Sequence, residues 1–153
     1  MAWRPLLRGA QAARARAAVA RLMAPGPRPY RRSKVLGPGL HLGECGLAVA
    51  RAYLARASGD PAERRRARRH LGRALSALED DELSGAFATG LPGIAWTLAH
   101  LQREGLLEAD EDLAGALDAV LLDAVASRTW KGDHEQHMGL AGFGTAALER
   151  LPR

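Results

Sequence analysis

A chain of 153 residues, 47% hydrophobic and 25% charged, is long enough for one globular core and too short for two. Arginine or glycine breaks its apolar stretches every few positions, which excludes a membrane-spanning helix of roughly 18–20 apolar residues, and its single cysteine, Cys45, excludes an internal disulfide and a cysteine cluster for zinc. The net charge of +5 hides a segregation: residues 1–78 hold 17 Lys/Arg against Glu44, Asp60 and Glu63, and residues 79–153 hold five against fourteen acids, so the halves carry +14 and −9.

The first 43 residues contain no acid. RPLLRGAQAARARAAVARLM is Arg-rich and weakly amphipathic, yet it lacks serine and the apolar core of a secretion signal. It is expected to be an outer helix of the fold, spanning 1–23, in a soluble, cytoplasmic protein. Three prolines and a glycine between Ala24 and Pro29 stop that helix, and residues 24–40 are expected to form a loop. A basic half of this size would suit nucleic acid or an acidic peptide, but no helix-turn-helix, zinc finger or aromatic-and-glycine RNA motif accompanies it. Only Lys34 and Lys131 are lysines, a bias that points to genome composition. The arginines are read as solvated outer helix faces, with no nucleic-acid partner.

An internal repeat follows. HLGECGLAVARAYL begins at His41, ATGLPGIAWTLAHL at Ala88 and HMGLAGFGTAALERL at His137. Each holds two glycines three apart, Gly43 and Gly46, Gly90 and Gly93, Gly139 and Gly142, at offsets of 47 and 49. A period in that range holds one helix pair, as in helical solenoids and closed helical rings. Repeat one is placed at 41–87, repeat two at 88–136 and the start of repeat three at 137–153. After Gly46, LAVARAYLARA is apolar nearly all round except Arg51 and Arg56, and after Gly93 IAWTLAHL carries no charge, so both predict inner helices buried on more than one side. Asp60 and Pro61 form an N-cap and a first-turn proline, after which Leu71, Leu75 and Leu78 make one stripe among arginines. That pattern predicts an outer helix. Asp110, Glu111 and Asp112 suit the positive end of a second outer helix, with Leu113, Leu117, Val120, Leu121 and Ala124 spaced for one face. The glycine pairs are assigned to tight turns and close backbone approach. A phosphate-cradling loop would need a preceding strand or a Walker-type lysine, and neither is present.

The polar run DHEQH at 133–137 has the look of a metal or acid/base site. His134 and His137 are three apart, one residue short of a two-histidine HExxH spacing, with no third ligand nearby. The run is expected to be the turn that leads into the third inner helix. His100, on an apolar helix, is expected to be a hydrogen-bonded core histidine. His41 and His70 have no visible partners, and Cys45 is expected to be a small packed side chain.

The order GECGLAVARAYLARASGDP, RRHLGRALSAL, TGLPGIAWTLAHL, then WKGD and GLAGFGTAALERLP resembles the amino-terminal portion of the lanthionine synthetase C-like (lanthipeptide cyclase) family, from about residue 10 onward. The resemblance implies an all-α fold, a partial α/α toroid of inner and outer helices with each inner helix starting at a glycine pair. The implied activity is thioether ring closure, in which a zinc-bound cysteine thiolate of a precursor peptide adds to a dehydroalanine or dehydrobutyrine. Coordination to zinc deprotonates a thiol that is otherwise mostly protonated near neutral pH. The family's zinc ligands, two cysteines and a histidine, and a further catalytic histidine fall in later repeats that these residues do not include. The resemblance therefore implies a cyclase-like chain that is catalytically incomplete alone and holds no zinc. The family's early aspartate, four positions before the glycine pair, falls on Glu135, where the extra methylene moves the carboxylate by about an ångström against a tolerance of about 0.5 Å. Implied partners are a modified precursor peptide, a complementary polypeptide or a second copy meeting the open arc. A non-catalytic interaction module is the alternative, because the third inner helix has no outer helix after it and leaves apolar surface uncovered.

Overall fold

The computed structural model describes residues 6–24, 37–80, 83–108, 111–126 and 129–151. Residues 25–36 of the expected loop, and Asp110 of the acidic helix start, lie outside them. Six α-helices and no strands occur among the described residues: α1 Gly9–Met23, α2 Glu44–Ser58, α3 Pro61–Asp80, α4 Leu91–Arg103, α5 Glu111–Val125 and α6 Leu140–Arg150. None of these helices is long and apolar enough to cross a membrane.

Local chemistry sets the boundaries. Gly43, Gly90 and Gly139 are the N-cap residues of α2, α4 and α6, all three in extended backbone. Helix α2 closes on Gly59 at φ 72°, the left-handed conformation that glycine reaches without steric cost. In the next residue, Asp60 Oδ1 accepts the Ala62 N–H at 2.8 Å, and Pro61 occupies the first helical position of α3. Helix α4 passes into a turn at Gly105, φ 62°.

Helices α2, α4 and α6 lie side by side, with α3 against α2, α5 against α4 and α1 against α2. The core joins Ala48 and Ala52 of α2, Ala67 and Leu71 of α3, Ala95, Leu98 and Leu101 of α4, and Ala114 and Leu117 of α5, with Leu106 and Leu107 from the connecting turn. Alanines at the crossings let the helix backbones approach, and each fully buried leucine contributes about 1.5–3 kcal/mol. Leu75 and Leu78 extend the Leu71 stripe as half-buried neighbours of this core. Only Ala12, Ala15 and Ala18 of α1 are half-buried, and its remaining described side chains are exposed, Leu22 at 84%.

The face expected on α5 is rotated. Val120 is 53% exposed and Ala124 is exposed, while Ala114 is buried and Val125 half-buried. Both stripes contain Leu117 and Leu121. A hydrophobicity pattern favours the valine side, whereas packing against Ala95 and Leu98 of α4 favours the alanine side, where a small side chain permits close approach.

Candidate functional site

The three glycine turns share one pattern of close contacts. A Cβ on Gly43, Gly90 or Gly139 would overlap the carbonyl oxygen six residues earlier, of Gly37, Ser84 and Asp133 respectively. The second glycines behave the same way: a Cβ on Gly46, Gly93 or Gly142 would meet the carbonyl of Leu40, Phe87 or Gln136. Those carbonyls are engaged by the helix starts. Glu44, Leu91 and Leu140 each donate their N–H to the oxygen of Gly37, Ser84 and Asp133, at 2.8, 3.0 and 2.9 Å. Only glycine admits a carbonyl at that distance without displacing backbone. Neighbouring turns are also bonded to each other: His41 N–H donates to Ala88 O at 2.7 Å, and Ala88 N–H donates to His137 O at 2.9 Å. These three residues occupy the same place in each repeat, two before the first glycine.

The polar run before α6 serves this turn. Asp133 Oδ1 accepts the N–H groups of His134 at 2.8 Å and Glu135 at 3.3 Å. Trp130 Nε1 donates to Asp133 O at 2.7 Å, and the Trp130 ring meets Phe143 edge-on at 5.4 Å. Glu135, the tentative catalytic carboxylate, is exposed and accepts the His137 N–H at 2.7 Å and the Met138 N–H. Its two oxygens hold backbone. His134 and His137 are not brought into a metal-binding group, and no three of His, Cys, Asp and Glu gather to hold a metal among the described residues.

Cys45 is fully buried between the two glycines of the first turn, and burial, only partly offset by a hydrogen bond with Thr97, pushes its thiol up to about 12. A cysteine ligates zinc as the thiolate, and alongside co-ligands. Cys45 therefore does not fit the zinc that the family resemblance implies.

At the other end of the row a polar rung crosses three helices. Tyr53, His100 and Glu149 each lie ten residues after the first glycine of their repeat. Because a carboxylate only accepts, His100 Nδ1 carries a proton and donates to Glu149 Oε1 at 2.8 Å. The Tyr53 hydroxyl lies 2.7 Å from Nε2, and burial, then the charge of Glu104, raises the Tyr53 pKa, which keeps the phenol protonated as the donor. Trp96 stacks on the imidazole at 4.5 Å and 9°. Thirteen residues after the first glycines, Arg56 reaches Glu104 and covers the Tyr53 ring at 4.9 Å, and Arg103 pairs with Glu149. A phenol held protonated is neither nucleophile nor base near neutral pH, so the rung ties α2, α4 and α6 together. His70, partnerless in sequence, donates from Nδ1 to Glu44 Oε2 at 2.5 Å and joins α3 to α2.

An apolar opening of about 480 Å³ lies between α5 and α6. Leu121, Leu122 and Val125 line one wall, Leu140, Phe143 and Ala147 the other, and Arg150 bridges its edge to Asp118 at 2.6 Å. Comparison with protein-family models, curated proteins and solved structures finds none that matches this chain.

Proposed function

We propose that this chain is a lanthionine synthetase C-like scaffold, an open arc of an α/α toroid, that binds a helical partner and does not close thioether rings by itself. In this reading α2, α4 and α6 are inner helices and α1, α3 and α5 outer ones. The observation that carries it is the cleft between α5 and α6. In the first two repeats an outer helix closes over the core: α3 lies on α2, and α5 joins α4 and the α3 residues Ala67 and Leu71 in one cluster. The same rule places a third outer helix over α5 and α6, where the apolar cleft stands open and Leu122 on its wall is 67% exposed. The occupant is an amphipathic helix with a leucine and alanine face, supplied by a complementary polypeptide. Asp123, exposed on α5, favours a basic flank on it.

A synthetic peptide of residues 61–80, the outer helix of repeat one, is the probe. Titrated against the chain in a fluorescence anisotropy assay, it should bind saturably, and Leu122→Glu should weaken binding at least tenfold. No saturable binding, or binding indifferent to Leu122→Glu, rejects the cleft as a helix site. A dehydrated cysteine-containing peptide incubated with the chain should cyclise no faster than in buffer. Self-association through the same face is the second reading, favoured by the opposite charges of the two halves. It predicts dimers by light scattering at micromolar concentration that Leu122→Glu returns to monomer.

A further inference from the structure

We propose that His41 and His137 form a two-imidazole site for a divalent first-row transition ion, bridging the first and third glycine turns across Ala88. The two residues are 96 apart in sequence, and neither local pattern nor spacing pairs them. The backbone ladder does. His41 N–H to Ala88 O and Ala88 N–H to His137 O hold the three equivalent residues in a line at 2.7 and 2.9 Å. The middle residue is alanine, so no side chain separates the outer two, and the imidazole centroids come to 6.3 Å at an interplanar angle of 67°.

The rings border an open cleft of about 240 Å³, lined also by Leu40, Phe87 and Gln136. Their nitrogens accept and donate no hydrogen bond among the described residues, in contrast to His70, engaged by Glu44, and His100, engaged by Tyr53 and Glu149. Backbone strain marks the same place. Leu42, directly after His41, is the one non-glycine residue at positive φ among the described residues, at 54°, with its side chain 81% exposed. No gain in apolar burial offsets that conformation, and strain of this kind costs about 1–3 kcal/mol. The equivalent residues in the other turns, Thr89 and Met138, have no such φ.

Neutral imidazole suits zinc, copper and nickel, with bonds of about 2.0–2.1 Å to zinc. Rotation about the side-chain torsions of these two exposed histidines is required to bring one nitrogen of each to the ion. Two protein ligands leave the remaining coordination positions to water or to a donor group from another molecule. The site is separate from the cleft between α5 and α6 and does not depend on the scaffold reading.

Zn²⁺ alone is the probe, titrated into the purified chain by calorimetry, with melting temperature and the histidine ring proton signals followed in parallel. The expected result is one ion per chain, a rise in Tm because the ion ties the first turn to the third, and coincident movement of the His41 and His137 signals. His41→Gln and His137→Gln should each lower affinity more than tenfold and abolish the Tm rise, whereas His134→Gln should change neither. Absence of saturable binding overturns the proposal. So does binding that survives both glutamine variants, or that is lost with His134→Gln.

Discussion

The turns that start α2, α4 and α6 and the helices α3 and α5 that cover them obey different rules. At the turns the repeat is written in backbone: six glycines meet six carbonyls at the same register, and three of those carbonyls, of Gly37, Ser84 and Asp133, accept the first helix N–H of their turn. On the covering helices it is written only in pattern. Helix α3 buries Ala67, Leu71 and Ala74 with Glu63, which pairs with Arg51 at 2.8 Å. Helix α5 buries Ala114 and Leu117 and leaves Val120 and Leu122 exposed. The difference teaches where the repeat is constrained. A backbone contact tolerates one residue type, whereas a packed face tolerates any set of side chains that fills the space.

The largest effect should therefore come from the smallest side chain. Gly90→Ala places a Cβ against Ser84 O, the deepest overlap among the six glycines, and both partners are backbone. It should cost more than about 3 kcal/mol in urea denaturation, or prevent folding. Gly115→Ala in α5 meets nothing within 4 Å and should raise stability by about 0.4–1 kcal/mol. Equal effects at the two positions would break the contrast between turn and covering helix.

A smaller effect separates the two covering helices. Leu71→Ala removes a side chain that is 8% exposed and in the main core, and should cost about 2–3 kcal/mol. Leu122→Ala, on the open cleft, should change stability by less than about 0.5 kcal/mol. Comparable losses would mean that the α5 face is covered in solution, and sedimentation at two protein concentrations would show by what.

Much of this architecture is legible in the sequence because glycine is an unambiguous signal where backbone must touch backbone. The pairs at Gly43, Gly90 and Gly139 fix the period, and Asp60 with Pro61 fixes the start of α3. The period also contained the polar rung: aligned on the first glycine, Tyr53, His100 and Glu149 fall in one register, and positions in one register of neighbouring helices are neighbours. That shared register is the sequence signal that joins His100 to Tyr53 and Glu149. His70 with Glu44 was out of reach, since a pair formed across two helices of one hairpin has no register of its own. The roles of Asp133 and Glu135 were hidden for another reason. A carboxylate that holds turn N–H groups has the same composition as one that performs chemistry, and only geometry separates them.

A pH-dependent effect tests whether the turn is sealed. Cys45 lies between Gly43 and Gly46, and burial holds its thiol at about 12 against an ordinary 9.0. A folded-state pKa above the unfolded value gives stability that is complete below pH 9 and is lost as pH rises toward 12, because the unfolded chain ionises first. Between pH 8 and pH 10 the wild-type chain should lose about 1.4 kcal/mol more than Cys45→Ala, one pH unit beyond the unfolded pKa being worth about that much. Tyr53, also raised, is common to both proteins and cancels in the difference. In the folded protein the thiol should also resist a disulfide reagent and react only on unfolding. Parallel pH profiles, or rapid labelling under native conditions, would show that the first turn opens and that its glycine contacts do not exclude water.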